Sequence, residues 1–132
     1  MSRVLAIRVA PTHLMFALLP LASLACGDSL GQADEQFAIQ ATGEEVVLSN
    51  ATEKPTFYFI VERETAAVLD FTTCVKGPRC KSVAPGTTAR IPYRQIAGYK
   101  PDRKEAIVYW WRSVLAPTGL RADEVRHQVV EL

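Results

Sequence analysis

From residue 36 to residue 132 the sequence is a succession of short runs of β-branched and aromatic residues separated by turn residues. Short runs of this composition, bounded by Gly, Pro, Asn or Asp, are typical of strands. The runs in chain order are QFAIQAT, EVVLSN, TFYFIVER, AAVLDFT, TTARIPY, EAIVYWWRSVL and DEVRHQVVEL. They predict an all-β domain over residues 36–132, built as a single antiparallel sandwich of about seven strands.

The length and spacing of these runs favour an immunoglobulin-like arrangement of the strands. About a hundred residues are enough to enclose one hydrophobic core between two antiparallel sheets. The Cys-Trp-Cys pattern of antibody domains is absent, because Cys74 and Cys80 are too close in the sequence to bridge two sheets. Helix is not expected after the N-terminal segment. Residues 119–129 have some helical potential, but the valines near their end count against it.

The first 25 residues have the pattern of an export signal. Arg3 and Arg8 give a positive start without acids, and residues 14–25 form an apolar run of about a dozen residues. Such a run is too short to cross a bilayer core of ~30 Å as a helix, and its proline would interrupt a buried helix. We therefore expect residues 1–25 to be a lipoprotein-type signal peptide and residues 26–35 to be a tether.

The residues around Cys26 resemble the lipobox of bacterial lipoproteins, in which a cysteine thiol is acylated and becomes the new N-terminus. Ala25 and Cys26 fit this pattern, whereas Ser23 and Leu24 stand where such boxes usually carry Leu and a small residue. The resemblance implies lipid anchoring at Cys26 in the cell envelope, and Gly27 resembles lipoproteins sent to the outer membrane of Gram-negative cells. The alternative is ordinary signal-peptidase cleavage followed by secretion, because Ser23 and Ala25 are small.

Lipidation of Cys26 would leave Cys74 and Cys80 as a pair in the segment CVKGPRC. Exported proteins meet an oxidising compartment, and the Gly-Pro turn between the two cysteines favours bringing their thiols together, so we expect a disulfide. The alternative is a periplasmic metal or redox protein that uses Cys74, Cys80 and His127. Because a structural zinc site needs four Cys or His ligands and a thioredoxin-like centre needs C-x-x-C, we expect neither a metal nor a cofactor.

The sequence carries no recognisable catalytic set. The G-x-S-x-G, H-E-x-x-H, P-loop and G-x-G-x-x-G patterns are absent, and His127 is the only histidine after the predicted signal. Glu44 and Glu45 are adjacent, so on a strand they would point to opposite faces and could not act as a carboxylate pair. We therefore expect a protein without enzymatic activity.

Charge is distributed unevenly along the chain. Between residues 28 and 70 there are nine acids against Lys54 and Arg63, whereas between residues 76 and 104 there are eight bases against Asp102 alone. The eight bases are Lys76, Arg79, Lys81, Arg90, Arg94, Lys100, Arg103 and Lys104. Clustered bases attract anionic partners, which outside the cytoplasm are lipid headgroups, anionic polymers or acidic proteins rather than nucleic acid. The alternative is that these bases lie on solvated faces and pair with the acidic segment of the same chain.

The residues Tyr109-Trp110-Trp111 lie in the predicted strand EAIVYWWRSVL. Neighbours in a strand point to opposite faces, and the charged Arg112 is expected to share a face with Trp110. We therefore expect Trp111 in the core and Trp110 outside, where Trp110, Arg112 and Tyr99 would add to the partner-binding surface. Two alternatives are a carbohydrate- or peptidoglycan-contacting module that uses Trp110 and Tyr99, and a Trp110 that packs under the loop AGYKPDRK.

Two further segments, VVLSNATEKPTFYFIV and PGTTARIPY, resemble the sandwich domains of bacterial surface and assembly proteins. Together with the lipobox-like signal, they make the chain similar to a group of small uncharacterised bacterial lipoproteins with an immunoglobulin-like domain. This resemblance implies a fold and no activity. The whole sequence predicts a lipid-anchored envelope protein with a binding or structural role, which contacts a protein or an anionic envelope component without catalysis.

Overall fold

The computed structural model describes residues 36–132; the predicted signal peptide, Cys26 and the predicted tether lie outside the described residues. The described chain has nine β-strands, one α-helical turn and one 3₁₀ turn. In chain order these are β1 (Phe37–Ala41), β2 (Glu45–Asn50), β3 (Thr56–Glu62), α1 (Arg63–Ala66), β4 (Ser82–Val83), β5 (Thr88–Pro92), the 3₁₀ turn (Tyr93–Gln95), β6 (Glu105–Trp111), β7 (Ser113–Ala116), β8 (Gly119–Ala122) and β9 (Arg126–Glu131). Among the described residues, no helix has the length and apolar character needed to cross a membrane.

The strands form three antiparallel sheets. Sheet A has the order β1-β2-β5, sheet B has the order β4-β3-β6-β9, and β7 and β8 form a separate hairpin. Phe37 lies opposite Asn50 in sheet A, and Phe57 lies opposite Trp111 in sheet B. The prediction of an all-β chain with antiparallel pairing is confirmed.

Sheets A and B face each other across one hydrophobic core. Because side chains alternate between the two faces of a strand, every second residue points inward. Val46 and Leu48 of β2 are buried in this way, as are Val108 and Trp110 of β6. The rings of Phe37 and Trp110 are 5.8 Å apart and connect the two layers. Removal of apolar surface from water, at roughly 25 cal/mol per Å², stabilises the two sheets against each other.

The strand register defines two opposite ends of this two-layered body. We call one the Phe37 end: it holds the start of β1 and the end of β2, because Phe37 pairs with Asn50. It also holds the start of β3 and the end of β6, since Phe57 pairs with Trp111. The other ends of the same strands form the Glu62 end. The seven residues of β3 separate the two ends by about 20 Å, at ~3.3 Å per residue.

The prediction of a strand over residues 66–72 is wrong. After Glu62 the chain enters the helical turn α1, and residues 67–81 have no regular structure. The Glu62 carboxylate accepts hydrogen bonds from the backbone N–H groups of Glu64 and Thr65, both at 2.9 Å. This capping supplies partners for the first N–H groups of the turn, and β3 therefore ends at Glu62.

Residues 36–132 contain nine strands rather than about seven. The predicted strand EAIVYWWRSVL is interrupted at Arg112 and forms β6 and the first strand of a hairpin. Residues 119–122, which the sequence pattern indicates as turn or weak helix, form the second strand of that hairpin. β4 has only two residues, which is too short for a residue pattern to show.

Candidate binding surface

A loop over residues 67–81 lies across the outer face of sheet B, the face turned away from sheet A. Phe71 provides its main aromatic contacts, since its ring is 4.9 Å from the ring of Phe59 and 4.9 Å from that of Tyr109. The ring of Phe71 also lies 6.3 Å from that of Trp111. Aromatic rings at these separations attract each other and bury a large apolar area, so Phe71 holds the loop against the sheet.

Cys74 and Cys80 form a disulfide within this loop, which confirms that prediction. Their Cα atoms are 5.5 Å apart. Gly77, between them, has a φ of 102°, and its carbonyl accepts a hydrogen bond from the N–H of Cys80 at 3.2 Å. Glycine tolerates this backbone conformation at no steric cost, so the chain can reverse here. The indole N–H of Trp111 donates to the carbonyl of Cys74 at 2.9 Å and connects the loop to the last residue of β6.

We call residues 74–81 the cationic loop, because they expose Lys76, Arg79 and Lys81 to solvent. Within residues 36–132, none of these three bases forms an ion pair. The sequence has no acid between Asp70 and Asp102. The cationic loop therefore presents three positive charges on a segment that a disulfide, an aromatic contact and a hydrogen bond hold in place.

The structure does not bring the eight bases of residues 76–104 together in one surface. Lys81 precedes β4, which pairs with the start of β3 at the Phe37 end. Lys104 precedes β6 and accepts a backbone hydrogen bond from Leu132 at the Glu62 end. The first group is Lys76, Arg79 and Lys81, and the second group, about 20 Å away, is Arg94, Lys100, Arg103 and Lys104.

Two of the bases pair with the acidic segment, as the alternative interpretation predicts. Arg90 of β5 pairs with Glu45 of β2, and Arg103 pairs with Glu64 of α1. Both pairs have at least one largely exposed partner, and pairs of this kind contribute at most about 1 kcal/mol to the free energy of unfolding. They compensate charge on sheet A and at the Glu62 end, whereas the cationic loop has no such compensation among the described residues.

A cleft of about 790 Å³ lies at the Glu62 end. It is lined by Glu62, Arg63, Glu64, Asp102, Arg103, Lys104, Glu105, Glu131 and Leu132. The side chains of Arg63 and Glu105 pair across it at 2.6 Å. Glu62 is only 3% exposed, and the backbone N–H groups of Glu64 and Thr65 hold the pKa of its carboxyl below its ordinary value. Glu62 therefore has a structural role, because its carboxylate caps α1.

The prediction that Trp110 is exposed is wrong. Trp110 is 2% exposed and packs in the core, and Trp111 is 4% exposed on the opposite face, beneath the loop of residues 67–81. The prediction relied on Arg112 to mark the outer face. Because β6 ends at Trp111, Arg112 lies beyond the regular alternation of that strand and says nothing about it.

The other residues considered for binding lie apart from one another. Tyr99 is partly buried, with its ring 5.9 Å from that of Tyr93, and His127 stands opposite Tyr109 with their rings 5.9 Å apart. Over residues 36–132, no three His, Cys, Asp or Glu side chains are grouped so that they could hold a metal ion. The two cysteines of the metal or redox alternative are bonded to each other. The carbohydrate alternative needs an exposed Trp110, and Trp110 is buried.

Sequence reasoning missed the hairpin of β7 and β8. Leu115 lies directly opposite Leu120, and these side chains are 84% and 50% exposed. The signal that could have found the hairpin is the segment SVLAPTGL, in which two residues, Pro117 and Thr118, separate two short runs. The two leucines therefore form a small exposed apolar pair near the turn of the hairpin.

Positive charge predominates at the Phe37 end among the described residues. The bases there outnumber the acids by seven to three. They are Lys54, Lys76, Arg79, Lys81, Arg112, Arg121 and Arg126, against Glu53, Asp123 and Glu124. The described residues of the Phe37 end therefore carry an excess of positive charge.

Comparison of the chain with known protein families, with curated proteins and with solved structures gives no match.

Proposed function

We propose that this protein is an exported, lipid-anchored module of the bacterial cell envelope that binds an anionic partner without catalysing a reaction. The cationic loop is the observation that carries the proposal. Lys76, Arg79 and Lys81 are exposed and form no ion pair within residues 36–132. Three neighbouring positive charges repel one another and do not stabilise the loop, which favours a role for them in a contact outside the chain.

The way in which the cationic loop is held supports a binding role. The disulfide closes the loop, Phe71 packs against sheet B, and Trp111 donates a hydrogen bond to Cys74. A segment that already has its bound conformation loses little conformational freedom when a partner arrives. We therefore propose that the disulfide has a structural role, and that the side chains of Lys76 and Arg79 make the contact.

We also propose that the domain is an immunoglobulin-like sandwich, and its strand order supports this proposal. When β1 to β6 and β9 are named A to G, sheet A reads A-B-E and sheet B reads D-C-F-G, with the β7–β8 hairpin inserted between F and G. Constant-type immunoglobulin domains have the same A-B-E and C-F-G neighbours, but their fourth strand joins the A-B-E sheet. Sandwiches of this architecture vary in topology, and they serve as binding domains in many cell-surface proteins.

The membrane anchor is proposed on the segment Ser23-Leu24-Ala25-Cys26, which resembles a lipobox. Acyl chains on Cys26 would hold the protein firmly, because each buried methylene contributes about 0.8 kcal/mol and two chains give stable anchoring. Mass spectrometry of the mature N-terminus tests this part of the proposal. An acylated Cys26 is the expected result, and an unmodified Cys26 or a start further along the chain would refute it.

Binding of the purified protein to fluorescent polyglutamate and polyphosphate tests the cationic loop. We expect the double variant Lys76→Glu/Arg79→Glu to bind at least tenfold more weakly, since each base near an anionic surface contributes about 1 kcal/mol. Addition of salt should weaken the binding of the wild type, because exposed charges are screened.

The matched control is Lys100→Glu/Lys104→Glu, which makes the same charge change on two exposed bases at the Glu62 end. This control should retain wild-type affinity. An equal loss of affinity in both double variants would show that only net charge matters and would refute a site at the cationic loop.

A further inference from the structure

The β7–β8 hairpin gives the Phe37 end an apolar tip. Its base is closed by the N–H of Asp123, which donates to the carbonyl of Arg112 at 2.7 Å. Leu115 and Leu120 pair across the two strands, one residue from the turn, and neither enters the core between sheets A and B. Transfer of exposed leucine side chains from water to an apolar or interfacial medium lowers the free energy of the system.

The hairpin lies beside Gln36, the first residue that the structure describes. The carbonyl of Gln36 accepts a hydrogen bond from the N–H of Ala51 at 2.8 Å. Gln36 also lines a groove of about 560 Å³ together with Lys54, Ser113 and Val114. Residues of β7 therefore lie beside the point at which the N-terminal segment joins the domain.

The length of the N-terminal segment limits how far this end can lie from a membrane anchor. Nine residues, 27–35, lie between Cys26 and Gln36, so ten Cα-to-Cα steps join the two. A fully extended chain spans at most about 3.6 Å per residue, so the tether reaches no further than roughly 36 Å. With Cys26 acylated, the Phe37 end is the part of the domain that is tied directly to the bilayer.

The charge of the Phe37 end complements an anionic lipid surface. Its bases outnumber its acids by seven to three among the described residues, and the cationic loop belongs to it because Trp111 holds Cys74 there. A bilayer interface accepts basic side chains at its headgroups and apolar side chains slightly deeper. Such a surface therefore suits both the cationic loop and the leucine pair, whereas an acidic soluble polymer would leave Leu115 in water.

We propose that the anionic partner of the cationic loop is the surface of the bilayer that anchors the chain, and that Leu115 and Leu120 enter its interface. This inference rests on the function proposed above. Lys76, Arg79 and Lys81 bind lipid headgroups, while the hairpin adds a shallow apolar contact. The two contacts and the tether together hold the domain with its Phe37 end toward the membrane and its Glu62 end away from it.

Photo-cross-linking of the full chain in native membranes tests the inference. The variant Leu115→benzoylphenylalanine should give covalent lipid adducts on irradiation, detected by mass spectrometry of the hairpin peptide. The matched control is Lys100→benzoylphenylalanine at the Glu62 end, which should give at least tenfold fewer lipid adducts. Protein adducts at position 115, or equal lipid adducts at both positions, would overturn the inference.

The lipid-adduct and polyanion-binding experiments together distinguish the proposed membrane contact from the proposed binding of an anionic partner. Introducing Lys76→Glu/Arg79→Glu into the position-115 cross-linking chain should lower the lipid adducts at least fivefold, and Lys100→Glu/Lys104→Glu should not lower them. If Lys76→Glu/Arg79→Glu weakens polyglutamate binding but leaves the adducts unchanged, the proposed function stands and the bilayer inference falls. If the adducts fall while N-terminal mass spectrometry finds no acyl group on Cys26, the bilayer contact stands and the anchoring is refuted.

Discussion

The indole N–H of Trp111 donates a hydrogen bond to the backbone carbonyl of Cys74 at 2.9 Å. Trp111 ends a central strand of sheet B, and Cys74 begins the disulfide ring, so this bond connects the most regular part of the chain to one of the least regular. The loop of residues 67–81 has no ladder of backbone hydrogen bonds of its own. It is held on the sheet by this bond, by the packing of Phe71 and by the covalent closure of the ring.

The first prediction concerns the hydrogen bond of Trp111. The variant Trp111→Phe removes the indole N–H, and we expect local release of the cationic loop. A hydrogen bond of this kind contributes about 1 kcal/mol, so the population of open loop should rise about fivefold. The measurement is the rate of trypsin cleavage after Lys76 and Arg79 in the native protein.

Trp110→Phe is the matched control for this experiment. The indole N–H of Trp110 is buried without a hydrogen-bond partner among the described residues, so the same substitution removes no bond there. Cleavage of the cationic loop should then change little, although both variants lose buried side-chain volume. Equal cleavage rates in the two variants would show that the bond to Cys74 does not hold the loop.

The second prediction concerns Asn50, a buried polar residue at the Phe37 end that is 2% exposed. Its amide nitrogen donates to the carbonyls of Lys54 and Val83 at 2.8 and 2.9 Å, and its amide oxygen accepts from Thr52. Asn50→Asp would turn a donor into an acceptor that faces two carbonyl oxygens. We expect the free energy of unfolding to fall by about 3 kcal/mol or more, measured by urea denaturation.

A neighbouring position provides the comparison for Asn50. Ser49→Ala removes an exposed hydrogen bond of 3.0 Å between the hydroxyl groups of Ser49 and Thr88. A change of this kind on the surface should alter the free energy of unfolding by no more than about 0.5 kcal/mol. An Asn50→Asp variant as stable as Ser49→Ala would contradict the assigned hydrogen bonds of the buried amide.

The third prediction is a pH dependence of stability that originates at Glu62. The backbone N–H groups of Glu64 and Thr65 lower the pKa of the Glu62 carboxyl in the folded state. The ionised carboxylate therefore stabilises the fold above the unfolded-state pKa, and this contribution is lost as the pH falls through the folded-state pKa. The urea midpoint of the wild type should decrease between about pH 7 and about pH 3 more than that of Glu62→Gln.

Glu53→Gln is the control for the pH dependence. Glu53 is exposed and has no hydrogen bond or ion pair within residues 36–132, so its variant should keep the pH profile of the wild type. The prediction fails if Glu62→Gln and the wild type lose stability in parallel over the whole range.

The fourth prediction compares two glycines with positive φ, Gly98 at +74° and Gly86 at +66°. A Cβ at Gly98 would overlap the side chain of Thr65, whereas a Cβ at Gly86 would meet nothing within 4 Å. Gly86→Ala should cost about 1 kcal/mol for the left-handed backbone. Gly98→Ala should cost about 3 kcal/mol, because overpacking is added to the same backbone term.

Thermal unfolding of the two alanine variants is the measurement. If they unfold at the same temperature, the contact between Gly98 and Thr65 does not limit the packing of α1 against the chain that leads to β6.

Strands could be predicted from the sequence where buried apolar residues alternate with more exposed ones. Val46 and Leu48 alternate with half-buried residues in β2, so their period of two is visible in the sequence. Residues 66–72 have a strand-like composition, yet the capping of α1 by Glu62 turns the chain away from β3. Composition alone does not show that the helical turn is favoured over a strand here, because the turn depends on one carboxylate reaching two backbone N–H groups.

The disulfide of the candidate site could be predicted from the sequence, but only some of its exposed side chains could. The short spacing of Cys74 and Cys80 around a Gly-Pro turn is enough to indicate a disulfide. The inward orientation of Trp110 could not be read from Arg112, because β6 ends at Trp111, between the two residues. The leucine pair of the hairpin arises only when β7 and β8 pair in their observed register.

The sequence by itself determined that this chain is built of short antiparallel strands and that its two described cysteines can join. Both properties are local, since strand periodicity and ring closure depend on residues close together in the chain. Only the tertiary structure decided that seven of the eight bases divide between the two ends, with Arg90 in the middle of β5, and that the cationic loop shares the Phe37 end with the hairpin. The reason is that these neighbours come from distant parts of the chain, and the pairing of β3 with β6 determines which of them meet.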